Sequence, residues 1–119
     1  ARFFGGINFL KSTINKNKIE TEIGPINYKQ KNMNELSSNH LLTIRPENIE
    51  ISKTNAFKDN YFSGTVTSII FSGTNTRYKV KVKDTVLDCS VQSVGLKDIS
   101  QNDEVFVHLP AEKIWGMND

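Results

Sequence analysis

Between Tyr61 and Gln92 the chain alternates apolar and polar residues with a period of two. Tyr78, Val80 and Val82 fall on one phase; Arg77, Lys79, Lys81 and Lys83 fall on the other. Successive side chains of a strand point to opposite faces, so this run predicts one apolar and one cationic face. Upstream, Thr65 to Phe71 is rich in β-branched residues. Between the two runs lies Ser72-Gly73-Thr74-Asn75-Thr76, a string of turn formers. Asp84-Thr85 interrupts the alternation, and Leu87, Cys89 and Val91 resume it. The pattern predicts a three-strand meander, with the rest of the chain supplying strands that close it.

The remaining segments read the same way. Asn8 to Ile14 predicts a strand, Asn15-Lys16-Asn17 a turn, and Lys18 to Ile23 a second strand. In that strand Ile19, Thr21 and Ile23 share one face, and Glu20 and Glu22 the other. Gly24-Pro25 punctuates it, and Ile26 to Tyr28 forms a short third strand. Lys29 to Asn39 is polar and reads as a loop. His40 to Ile44 reads as a buried strand. Pro46 suits the first position of a helical turn, with Glu47 near its positive end. Ile49 and Ile51 return to strand, and Thr54 to Asn60 connects onward around Phe57. Leu96 to Asp103 reads as a turn region and Glu104 to Leu109 as a last strand. Pro110 ends that strand, and Ala111 to Trp115 forms one helical turn. At the start, Ala1 to Phe4 followed by Gly5-Gly6 reads as the stop of a helix whose body lies upstream, or as a frayed tail. About eight short strands and no long amphipathic helix predict an all-β barrel or sandwich. No short-period repeat stands out; Gly5 to Ile14 and Gly64 to Phe71 share only a weak rhythm.

The length of 119 residues suits one domain spanning 1–119. A net charge of +2 is too small to mark a nucleic-acid binder by itself. The only cysteine, Cys89, has no partner for an internal disulfide, which favours a reducing compartment. No apolar run reaches transmembrane length, and no basic-then-apolar leader opens the chain. Catalytic signatures are missing: there is no phosphate-binding G-x-x-x-x-G-K-[ST] and no G-x-S-x-G elbow. Cys89 keeps the apolar phase of Leu87 and Val91, so a core thiol is expected rather than a nucleophile. His40 and His108 have no metal-ligand spacing, and Glu20 and Glu22 read as the wet face of a strand. The row Arg77, Lys79, Lys81, Lys83 reads either as a docking face for an anion or a partner, or as a solvated face that discourages edge aggregation. Single-strand nucleic-acid binding also needs stacking aromatics, and Tyr78 lies on the opposite phase.

Several segments, in order, carry a family resemblance. Phe4-Gly5-Gly6-Ile7-Asn8-Phe9-Leu10 is similar to an F-x-G-x-x-N opening, with Gly5 one place early. Ile44 to Ile49 follows I-R-P-E-x-I. Gly64-Thr65-Val66, Phe71-Ser72-Gly73 and Arg77-Tyr78-Lys79-Val80 follow G-x-V…F-x-G-x-x-x-R-Y-x-V, and Asp103-Glu104-Val105 through Trp115 follows D-x-V…W. Together they resemble the C-terminal TOBE region of ATPase subunits of bacterial ABC importers of the polyamine, iron, phosphonate or sugar type. The resemblance implies an OB-like barrel of the TOBE/MOP-like type with no catalysis of its own. It implies that residues 1–6 end a linker from an upstream nucleotide-binding domain, where ATP and Mg would bind; no cofactor is expected in this fragment. The implied partners are a second copy of the subunit, that upstream domain and, indirectly, the permease subunits, with no nucleic acid. The implied place is cytoplasmic, peripheral on the inner face of the membrane. Arg45, Pro46, Glu47, Gly64 and Gly73 match the pattern as structural or partner-contact positions. Arg45 and Arg77 are also candidates for ligand binding. Two alternatives stand beside this reading: a small-ligand or oxyanion (molybdate-like) domain, and a single-stranded nucleic-acid-binding OB barrel. Related molybdate-binding domains carry S-A-R-N-x-x-x-G-x-V. Here only Asn60 and Gly64-x-Val66 of that pattern are present.

Overall fold

Alternation sets the strands, and the turn residues set where they reverse. The computed structural model describes residues 3–4, 6–16, 18–27 and 35–118. Asn17 of the expected turn, Tyr28 of the expected third strand, most of the expected Lys29–Asn39 loop, and Ala1, Arg2 and Gly5 lie outside the described residues. The strands are β1 (Phe3–Phe4), β2 (Ile7–Asn15), β3 (Lys18–Thr21), β4 (Gly24–Ile26), β5 (Asn39–Ile44), β6 (Glu50–Ser52), β7 (Tyr61–Phe71), β8 (Asn75–Val82), β9 (Thr85–Gln92), β10 (Glu104–His108) and β11 (Trp115–Met117). Short 3-10 turns at Pro46–Asn48 and Ala111–Lys113 follow β5 and β10, where helical turns were expected at Pro46 and over Ala111 to Trp115. The expected meander is β7-β8-β9, with Val80 opposite both Val66 and Leu87 and Tyr78 opposite Cys89. A bulge between Val66 and Ser68 bends β7.

Eleven strands are present among the described residues where about eight were expected. The unforeseen ones are β1 and β11, of two and three residues, too short to show a period. Phe3–Phe4 corrects the helix-stop reading: it pairs antiparallel with Ile7 and Asn8 across a turn in which Gly6 takes φ +78°.

One sheet runs β11-β5-β2-β3-β4, with β1 beside β2; the other runs β6-β10-β7-β8-β9. These are the same order written twice. β2 to β6 and β7 to β11 are two equivalent halves, each with a long first strand, a two-residue turn between its second and third strands, a 3-10 turn and a short last strand. That last strand crosses to the edge of the other half's sheet. Between the sheets, Leu10, Leu42, Val66, Tyr78, Val80, Leu87, Val107, Leu109 and Ile114 form one apolar cluster. Such burial is the main stabilising term of a fold this size.

Two buried asparagines tie the sheets together at equivalent places. Asn8 donates its amide to the Ile44 and Asp88 carbonyls at 3.3 and 2.9 Å, and its oxygen accepts from the Asp88 N–H at 2.8 Å. Asn60 donates to the Leu109 and Asn27 carbonyls at 2.9 and 2.8 Å and accepts from the Asn27 N–H at 2.8 Å. An amide carries a donor and an acceptor side by side and so can satisfy a peptide N–H and C=O together. Asn8 thereby links β2 to β9, and Asn60 links the start of β7 to the end of β4.

Candidate functional site

The 3-10 turn after β5 builds one wall of a polar hollow. Arg45 is extended (φ −74°, ψ 144°), and Pro46 then starts a turn closed by the Asn48 and Ile49 N–H groups on the Arg45 and Pro46 carbonyls. Pro46 is buried, and the Cys89 thiol donates to the Ile49 carbonyl at 3.1 Å, which holds the turn against β9. The other wall is the outer face of β8 and β9. There Arg77 stands opposite Ser90 and Asn75 opposite Gln92, and the Asn75 amide donates to the Ser90 hydroxyl at 3.1 Å. Together with Gly6 and Glu47 these residues enclose about 400 Å³. A Cβ on Gly6 would lie 3.8 Å from Arg77 Nη2.

Arg45 and Arg77, 32 residues apart in the chain, therefore share one cavity, with Pro46 and Glu47 beside them. Both guanidiniums are exposed, and neither has an ion-pair partner among the described residues. With the Ser90 hydroxyl and the amides of Asn75 and Gln92 they present a set of donors suited to an anion. Gly64 and Gly73 lie elsewhere. A Cβ on Gly64 would come within 2.8 Å of Val80 and 3.0 Å of Val82, so its role is close strand packing. Gly73, at φ +85°, turns the β7–β8 hairpin in open space. Sequence reasoning missed Asn75, Ser90 and Gln92. The signal for the last two was their polar phase in β9, out of step with Cys89 and Val91.

The other titratable candidates are held in structural roles. Cys89 is buried, and burial, with Glu50 nearby, pushes its thiol up to about 12, so it stays protonated. His40 is buried; desolvation pulls it below the ordinary histidine value, while Nδ1 lies 3.1 Å from the Ser37 carbonyl. His108 stacks on Phe57 at 4.6 Å, with Nδ1 2.9 Å from the Asp59 carbonyl and Nε2 3.6 Å from Glu50. Glu22 is not merely a wet-face residue: it accepts from the Lys11 N–H at 2.7 Å and the Thr85 hydroxyl at 2.8 Å. The cationic row is broken up. Lys79 pairs with Asp88 at 3.2 Å, and Lys83 leaves the strand for the turn that follows. Among the described residues no three His, Cys, Asp or Glu are placed to hold a metal ion, and no helix is long and apolar enough to cross a membrane.

The fold and its polar hollow define a small all-β module of the OB-like class. The chain matches the TOBE domain family over residues 42–117 and belongs to that family. Among solved structures it is similar to the cytoplasmic molybdate-binding protein ModG, crystallised with molybdate bound. The TM-score is 0.81 over 98% of this chain and 99% of that one, at 10% sequence identity. No curated protein sequence matches the chain.

Proposed function

We propose that this chain is a non-catalytic accessory domain of an ABC importer's ATP-binding subunit, pairing with a second copy and modulating the transport cycle through contacts. The observation that carries the reading is the ordered motif set from Ile44-Arg45-Pro46-Glu47 through Gly64, Gly73 and Arg77 to Trp115, which lies inside the segment matching the TOBE family. On this reading ATP and Mg belong to the upstream domain, and the protein works at the inner face of the membrane. Sedimentation of the chain and of its parent at high micromolar concentration tests the pairing. A dimer of either is expected, and monomers of both contradict it.

The hollow favours a second reading, binding of a small tetrahedral oxyanion between Arg45 and Arg77. What supports it is two guanidiniums without acidic partners facing one polar cavity, in a fold shared with a molybdate-binding protein. Calorimetry with molybdate, tungstate and sulfate decides it. Saturable heat that weakens about tenfold or more in Arg45→Gln and Arg77→Gln supports the site. Flat traces for all three end it.

A further inference from the structure

Each half of the chain serves as a control for the other. Thr21 pairs with Gly24 across the two-residue turn after β3, and Val82 with Thr85 across the turn after β8, so Glu22 and Lys83 are equivalent. Ser12 lies between Thr21 and His40, as Gly64 lies beside Val82 and opposite Val105, so Lys11 and Ser63 are equivalent. In the first half the Glu22 carboxylate bridges the two sheets, and a separate hollow of about 440 Å³ toward β5 is lined by Lys11, Thr21 and Glu22. It accepts from the backbone N–H of Lys11 on β2 and from the hydroxyl of Thr85, the first residue of β9.

The second half has no such bridge. Lys83 stands in the place of Glu22, and Gly24, which has no side chain, in the place of Thr85. What remains is a hollow of about 460 Å³ between β4, the start of β7 and the end of β8. Its walls are apolar, from Ile23, Pro25, Phe62 and Val82, and Lys83 lies at its rim. A Cβ on Gly24 would lie 3.2 Å from the Phe62 ring and 4.0 Å from Lys83 Nζ, so glycine here keeps the cleft open. The Leu109 N–H bonds the Asn60 carbonyl, which gives the even residues at the start of β7 to β10. By the alternation of an antiparallel ladder, the N–H of Ser63 faces the β8 side. Lys83 is exposed and has no acidic partner among the described residues.

We propose that this hollow binds a small monocarboxylate with an apolar body. Its carboxylate takes the place that Glu22 occupies in the first half, between the Ser63 N–H and the Lys83 ammonium. Its body lies on Phe62, Val82 and Pro25. The cleft differs in chemistry from the Arg45–Arg77 hollow, which is polar and presents two guanidiniums. The proposal does not depend on the accessory-domain reading.

Amide chemical shifts of the whole chain, titrated with benzoate and with the neutral isostere benzamide, test it. The expected result is saturable shifts at Ser63 and Lys83 with benzoate. Binding should be about tenfold or more weaker for benzamide and for Lys83→Gln, the loss of one charged hydrogen bond. Lys81→Gln, on the outer face of the same sheet, should bind as wild type. Lys83→Gln changes an exposed turn residue, so its spectrum should otherwise match wild type. Shifts that do not saturate, equal binding of benzamide, binding untouched by Lys83→Gln, or shifts confined to Arg45 and Arg77 would each overturn the proposal.

Discussion

Gly64 shows how tightly single residues are specified. With Val80 and Val82 at 2.8 and 3.0 Å from any added Cβ, Gly64→Ala forces two packed core side chains aside. The expected cost is about 1–3 kcal/mol, read as a lower denaturant midpoint at unchanged slope. Asn8 is held by three hydrogen bonds to peptide groups, and removing it leaves the Asp88 N–H and C=O buried without that partner. Asn8→Ala is therefore expected to lose about 3 kcal/mol, and a loss below about 1 kcal/mol would deny the cross-link its role. His40 makes stability depend on pH. Desolvation lowers its folded value below the 6.5 of the unfolded chain, so the unfolded state binds more protons between the two values. The neutral-imidazole contribution is present above pH 6.5 and is lost as pH falls through the folded value. His40→Asn should flatten the decline in stability as pH falls below about 6.5 relative to wild type, and parallel profiles would contradict this.

Among the elements, the strands with a visible period were legible. The alternation of Tyr78, Val80 and Val82 against Arg77, Lys79 and Lys81 became β8, buried on one face and exposed on the other. The 3-10 turn at Pro46 was legible because a fixed φ and a missing N–H suit the first turn, and the second was expected over Ala111 to Trp115, after Pro110 ends its strand. Illegible were β1, which at two residues is too short to show a period, and β11, whose pairing comes from register with the distant β5 rather than from local pattern. The exchange of last strands between halves was illegible for the same reason. It has a consequence for stability: β11 pairs Gly116 with the buried Leu42 of β5 and covers that sheet's edge. Deleting residues 115–119 should cost about 2 kcal/mol, read as a fall in melting temperature; an unchanged melting temperature would show the exchanged strand to be dispensable. The candidate site was half legible. Arg45 and Arg77 stood out as charged positions within the motifs, whereas Asn75 was absorbed into a turn and Ser90 and Gln92 into the polar phase of a strand. Only the docking of the Pro46 turn on β9 brings them together.

At the scale of the whole molecule, two equivalent halves share one core, and their differences mark what each cleft does. The first half bridges its sheets through Glu22, and the second leaves a cleft beside Lys83. Arg45, in the connector of the first half, is matched by Pro110 in the second, so only one of the two connectors presents a guanidinium. The accessory-domain proposal takes a module built this way to act through contacts, with the chemistry in an upstream domain. That proposal is tested most directly by reading the gene upstream of the codon for Ala1. The expected result is an open frame encoding a phosphate-loop ATPase domain that runs into Ala1-Arg2-Phe3-Phe4. A start codon immediately before Ala1 would contradict it and leave a free-standing binding protein.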